Sequence, residues 1–161
     1  MVRSAPAHAF LTSDSTDATR AIGRAIGRAA VPGTLVALSG PLGAGKTQMA
    51  KGIAEGLEVA TTVNSPTFVL MNEHPGRLRL FHIDAYRLAD PEEAQAAGLL
   101  DEERQAAGVT VVEWADRLDG YLAEDRLEID LEPDPISPEG RTLRWRAIGP
   151  RAASLVGALG W

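Results

Sequence analysis

Residues 34–57 read TLVALSGPLGAGKTQMAKGIAEGL, and this stretch decides the fold. Its opening run, TLVAL at residues 34–38, is apolar and partly β-branched, the pattern of a buried strand. Residues 40–47, Gly-Pro-Leu-Gly-Ala-Gly-Lys-Thr, then satisfy the phosphate-loop spacing G-x-x-x-x-G-K-[ST]. From residue 46 to about 57 the period turns helical, with Met49, Ile53 and Leu57 on one side and Gly52 weakening it locally. Strand, glycine loop and helix in this register carry a definite chemistry. Glycines let the loop curl until backbone N–H groups point inward at phosphate oxygens. The helix adds its N-terminal N–H groups and the positive end of its dipole. Lys46 is expected to reach the β- and γ-phosphates of a nucleoside triphosphate, and the Thr47 hydroxyl to ligate Mg²⁺. Of the sixteen basic residues only Lys46 and Lys51 are lysines, as if a compact point charge were required at position 46.

Such a fold also needs a carboxylate at the end of a neighbouring strand to hold or orient the metal. Two acids qualify. Glu113 follows the apolar run Val-Thr-Val-Val at residues 109–112, and Asp84 follows a strand-like run at 78–83. Strand-end position does not say which is nearer the metal. His82, a lone histidine among apolar residues, reads as a packed side chain.

Outward from this centre, residues 12–30 open with Ser, Thr and Asp, good capping residues, and continue at helical spacing until Val31-Pro32-Gly33. Residues 68–71 and 78–83 read as strands joined by a turn at His74-Pro75-Gly76. A helix is expected from Pro91 to Ala97 behind Asp90, and a short one over residues 115–122. Residues 126–131 and 141–148 alternate charged and apolar, as half-exposed strands paired across the turn at 135–140. A last helix over residues 151–159 is expected to cover a sheet edge. The fold class is therefore α/β, a three-layer phosphate-loop architecture with a central mixed sheet and flanking helices.

Composition sets the bounds. The 161 residues fit one domain, 1–161, and 45% hydrophobic with 24% charged is ordinary for a soluble globular chain. A net charge of -6 argues against a surface that coats nucleic acid, so no DNA partner is expected, and RNA only through another protein. With no cysteine there is no disulfide, thiolate zinc site or cysteine nucleophile. No run is long and apolar enough to span a bilayer, and MVRSAPAHAF lacks the apolar centre of a secretory signal. A cytoplasmic location follows as the expectation, with no membrane partner.

Four segments read together, GPLGAGKT, Asn64-Ser-Pro-Thr-Phe68, His82-Ile-Asp-Ala-Tyr-Arg-Leu88 and Val112-Glu-Trp114, resemble the TsaE family of bacterial tRNA threonylcarbamoyladenosine synthesis. The resemblance covers most of the chain. It implies an ATPase that uses ATP and Mg²⁺ and acts with the threonylcarbamoyl transferase subunits, meeting tRNA only through that complex. It further implies that Leu42, Gly43, Ala44, Gly45, Lys46 and Thr47 grip the phosphates. Thr47 and Glu113 then take the metal, with Lys46, Asp84 and Glu113 as the catalytic set. Thr16 and Arg141 align with nucleotide-contacting positions, although Thr16 also suits a plain helix cap. Ser65-Pro66-Thr67 reads as either a rigid turn or a switch-like loop, the resemblance favouring the switch; Tyr86, Arg87 and Trp114 read as lining the site or a partner surface, and Trp114 equally as a packing residue at a helix start. Pro41 departs from the acidic residue common there. The competing reading is a small kinase of a nucleoside or metabolite. Such enzymes usually carry an arginine-rich lid, whereas residues 90–103 here are acidic, with Arg104 just beyond. No Asn-Lys-x-Asp guanine signature occurs.

Overall fold

The computed structural model describes residues 7–64 and 70–161. The apolar run before the glycine loop is β2 (Leu35–Ser39), and Leu35, Val36, Ala37 and Leu38 are all buried. A strand covered on both faces belongs inside a parallel sheet. β2 does lie there, pairing in parallel with β5 (Val109–Glu113) on one side and β6 (Arg126–Pro133) on the other. Beyond β5 come β4 (Leu80–Asp84), parallel to it, and β3 (Met71–His74), antiparallel to β4. Beyond β6 come β7 (Arg141–Ile148) and β1 (Ala7–Ser13), each antiparallel to its inner neighbour. The order of the seven-stranded sheet is β1-β7-β6-β2-β5-β4-β3.

Helices α1 (Thr16–Ala29), α2 (Lys46–Gly56) and α5 (Pro150–Leu159) share a core with one face of this sheet, built on Ile26, Met49, Ile53, Leu127, Ile129, Leu143 and Val156. The opposite face of the parallel half packs Leu35, Ala37, Ile83 and Val112 with Ala94 of α3 (Pro91–Ala96) and Leu118 of a 3-10 turn, Ala115–Leu118. Those are the three layers expected. Among the described residues no helix covers that second face over β6 and β7, so Asp130, Arg144 and Arg146 are exposed while Leu127, Ile129, Leu143 and Trp145 point into the core. The alternating charges of these strands have that origin.

Helices α1 and α2 meet along a seam of glycines. Gly23 and Gly27 of α1 lie against Gly52 and Gly56 of α2, so closely that a Cβ on Gly23 would stand 3.0 Å from the Gly52 Cα. The glycine that weakened the helical reading of residues 46–57 is thus a contact surface.

Several expectations are corrected. Thr12 and Ser13 belong to β1, not to the opening helix, because edge pairing with β7 outweighs their capping tendency. Residues 68 and 69 lie outside the described residues, and the strand expected there is found at Met71–His74. Of the helix expected at 115–122 only a single 3-10 turn forms. A further helix, α4 (Glu102–Ala107), was not anticipated; Asp101 caps it by accepting from the Arg104 N–H. The last helix covers a face and not an edge, since Ala152, Leu155 and Val156 fall on one stripe and join the α1–α2 core. Among the described residues no helix is long and apolar enough to cross a membrane.

Candidate functional site

The groups singled out around the glycine loop converge at the carboxyl ends of β2, β5 and β4. Gly45 takes the N-cap of α2 with φ 103°, in the left-handed region that glycine enters without strain. Gly40 is needed for room, because a Cβ there would collide with the Leu131 carbonyl oxygen of β6. The curl that results places Lys46 and Thr47 in the first turn of α2, facing the strand ends. Lys46 is 5% exposed. Its Nζ donates to the carbonyl oxygens of Gly40 at 2.6 Å and Pro41 at 2.8 Å, and stands 3.9 Å from the Trp114 ring centroid. Burial pushes its pKa below the ordinary lysine value, against the opposing pull of Glu113, Asp116 and Asp84.

Glu113 closes β5 and is 2% exposed. Its Oε1 accepts from Thr47 Oγ1 at 2.9 Å, and its Oε2 lies 2.5 Å from His82 Nε2. The choice between acids that the sequence left open is thereby narrowed: Glu113 is bonded to the hydroxyl expected to ligate the metal. Asp84 stands opposite Glu113 in the β4–β5 register, and its Oδ1 accepts from the Tyr86 N–H at 2.9 Å. Burial raises the Asp84 carboxyl above the usual aspartate value. Glu113 adds to the rise, while the Tyr86 N–H, His82 and Lys46 oppose it.

The donor set fits Mg²⁺. Two neighbouring ligands of an octahedral Mg²⁺, each at about 2.05 Å, stand about 2.9 Å apart. Thr47 Oγ1 and Glu113 Oε1 already have that separation of 2.9 Å. Either the hydroxyl hydrogen or a metal ion can occupy the space between them without large movement of the oxygens.

A cavity of about 440 Å³ opens beside this cluster, lined by Leu42, Gly43, Gly45, Lys46, Thr47, Asp84, Glu113 and Trp114 together with Thr16, Thr19, Glu139 and Arg141. Thr16 is in place, but it is not the helix cap. Ser15, extended at φ -154°, is the cap and accepts from the Ala18 N–H, which leaves the Thr16 hydroxyl to donate to Glu139 Oε1 at 3.0 Å. Arg141 donates to the carbonyl oxygens of Ala44 at 2.8 Å and Gly43 at 3.0 Å, so it clamps the glycine loop from behind. Ala44 is fully buried in the core and does not wall the cavity; its N–H donates to the Pro41 carbonyl. The Ser65-Pro66-Thr67 segment lies outside the described residues.

Three features escaped the sequence. His82 is packed as expected, yet it is bonded to an acid of the site; its place two residues before Asp84, on the same strand face, was the available signal. Trp114, which the resemblance placed at the site, adopts an unforeseen φ of 58°, a left-handed conformation costing a non-glycine residue about 1–3 kcal/mol, and its ring meets Tyr86 at a tilt of 47° with centroids 4.9 Å apart. Glu139 arrives from a turn whose composition carried no signal. Arg104, the arginine nearest the stretch where a kinase lid was sought, bonds the Gly98 carbonyl at 2.8 Å.

Comparison with known proteins gives one answer. The family described as "Threonylcarbamoyl adenosine biosynthesis protein TsaE" matches residues 13–142. The tRNA threonylcarbamoyladenosine biosynthesis protein TsaE of Bacillus subtilis is 40% identical over 134 residues, covering 83% of this chain and 82% of its own. The protein of the same name from Mycobacterium leprae is 44% identical over 122 residues, covering 71% and 76%. The crystal structure of Bacillus subtilis YdiB superposes with a TM-score of 0.82 at 31% identity, over 98% of this chain and 97% of that one.

Proposed function

This chain belongs to the TsaE family, and on that premise we propose that it is a Mg²⁺-dependent ATPase serving threonylcarbamoylation of tRNA. The observation that carries the proposal is the Thr47–Glu113 contact, two oxygens 2.9 Å apart at the mouth of a phosphate loop whose lysine is bonded to the loop's own carbonyls. Leu42 to Thr47 would receive the triphosphate, with the α2 N-terminus supplying N–H groups and dipole. Lys46 exchanges the Gly40 and Pro41 carbonyls for phosphate oxygens, a movement within its own loop. Thr47 and Glu113 would hold Mg²⁺, which when bound neutralises phosphate charge and favours attack of water on the γ-phosphorus. Asp84, set beside Glu113 and raised by burial, is suited to orient that water. Thr16 and Glu139 also line the cavity, and the nucleoside would lie against them, with Arg141 bonded to the glycine loop beside it.

Hydrolysis in this reading serves the complex and not a bound metabolite. The transferase subunits are the partners, and tRNA is met through them, in keeping with the net charge of -6. The kinase alternative loses support because Arg104 is engaged by Gly98 and does not face the cavity. The test is reconstitution with the transferase subunits and tRNA. Wild type should support repeated rounds of modification with release of phosphate, and Glu113→Gln should lower ATP turnover by roughly tenfold or more. Unimpaired turnover in that variant refutes the assignment. Full modification by a chain that binds ATP without hydrolysing it would reduce the role to nucleotide binding.

A further inference from the structure

We propose that His82 is the positioning residue that fixes the orientation of Glu113 toward Mg²⁺; the inference rests on the metal role given to Glu113 above. His82 is fully buried in β4, on the strand face that also carries Asp84, and Nε2 lies 2.5 Å from Glu113 Oε2. Among the described residues its buried Nδ1 has no hydrogen-bond partner. That asymmetry selects a tautomer. Hydrogen on Nδ1 would be a buried donor with no acceptor and would leave the Nε2 lone pair facing a carboxylate oxygen. Hydrogen on Nε2 makes the bond to Glu113 and leaves only an unused lone pair.

A side chain kept for packing alone would not need this arrangement. Leucine or methionine would fill the space without leaving an unpaired polar atom, which is unfavourable by about 1–3 kcal/mol. What imidazole adds is one N–H aimed at Oε2. The terminal torsion of a glutamate is broad and nearly two-fold. Thr47 engages Oε1 only as long as its hydroxyl hydrogen points there. Once that hydroxyl turns its lone pair to a metal, the bond to His82 still restrains the carboxylate from rotating. His82 holds Oε2 and so keeps Oε1 as the oxygen facing Thr47. Hydrogen bonds of this kind orient metal ligands, and their loss typically weakens metal binding 10- to 100-fold.

The test compares glutamine with asparagine at position 82. A glutamine amide nitrogen reaches the place of Nε2; an asparagine nitrogen falls short of it, near Nδ1. Affinity for a non-hydrolysable ATP analogue is measured with Mg²⁺ and with chelator, alongside a thermal melt. His82→Gln should keep the gain in affinity due to Mg²⁺ within about threefold of wild type, and His82→Asn should lose at least about tenfold of it. A wild-type gain in a folded His82→Asn chain overturns the proposal. If asparagine prevents a cooperative melt, the wild type decides. Its imidazole Nε2–H resonance, assigned by its absence from His82→Gln, should shift when Mg²⁺ is added to the analogue-bound protein; no shift overturns the proposal. Glu113→Gln separates the two levels of inference. If that variant keeps the Mg²⁺ gain, the metal role of Glu113 fails; if it loses the gain while His82→Asn keeps it, only the positioning role fails.

Discussion

Gly23→Ala sets two effects of known sign against each other. Alanine in place of glycine inside a helix is worth about 1 kcal/mol of stability from propensity alone. At Gly23 the new Cβ would stand 2.5 Å from the Met49 carbonyl oxygen, and 3.0 Å from both the Gly52 Cα and the Ile53 nitrogen. Every one of these neighbours is backbone of α2, so no flexible side chain can give way. Reaching an ordinary contact of 3.4 Å from the oxygen requires α1 and α2 to part by about 0.9 Å. Overpacking of this kind costs about 1–3 kcal/mol and occasionally more. The clash therefore wins, for a net loss of up to about 2 kcal/mol. In a chain of this size that lowers Tm by up to roughly 8 °C. The control is Gly157→Ala in α5, where a Cβ meets nothing within 4 Å. There propensity acts unopposed and should raise Tm by about 1–4 °C. Scanning calorimetry of the two variants beside wild type settles the sign. A Gly23→Ala protein as stabilised as Gly157→Ala would refute the seam. Because α1 carries Thr16 and α2 carries Lys46, nucleotide affinity should fall in the first variant and hold in the second.

Lys46→Ala should abolish productive ATP binding yet leave the melt unchanged or higher, since burial disfavours the ammonium in the resting fold; calorimetric titration with ATP checks the first and a thermal scan the second. Thr47→Ala should remove most of the Mg²⁺-dependent part of nucleotide affinity and spare the part measured in chelator, so equal losses under both conditions would rule out the hydroxyl as a ligand. Asp84→Asn should stabilise the nucleotide-free protein at about pH 7. The folded chain binds the Asp84 proton more tightly than the unfolded chain, so the stability it carries is lost as pH rises past the ordinary value of 3.8 and through the raised one. The advantage of asparagine, read by urea unfolding, should accordingly shrink as pH falls toward 3.8, while ATP turnover drops by roughly tenfold or more.

What the sequence made legible was whatever short-range pattern determines. The β2–loop–α2 unit could be read because period, glycine spacing and the Lys-Thr pair all lie within 24 consecutive residues, 34–57. Glu113 and Asp84 could be read as strand ends, but not ranked. Their ranking depends on which of them meets Thr47, a contact 66 residues away in sequence. β1 was hidden because an edge strand is defined by its partner β7, and Ser13 looks like any capping serine until that pairing exists. His82 was half legible: apolar neighbours foretold its burial, but its bond to Glu113 follows from the parallel pairing of β4 with β5. Arg141 was placed beside the nucleotide by resemblance, while its bonds to Gly43 and Ala44 depend on the β6–β7 turn reaching the loop.

The resting site has one more property with consequences for any measurement on it. Lys46 holds two carbonyls of its own loop, Thr47 holds Glu113, and Thr16 holds Glu139. Side chains read as nucleotide or metal contacts are thus already satisfied within the chain, as buried polar groups must be. A bound triphosphate would therefore exchange partners and not fill vacant ones, and each exchange is worth only the difference between two hydrogen bonds. Each contact to the nucleotide is then offset in part by the resting partner it replaces, and stability changes on truncation will read opposite in sign wherever burial disfavours the charged group. Lys46 and Asp84, whose charged forms burial disfavours, are the two positions where that inversion should be seen. Thr47 and Glu113, whose oxygens already stand at metal spacing, are where it should not.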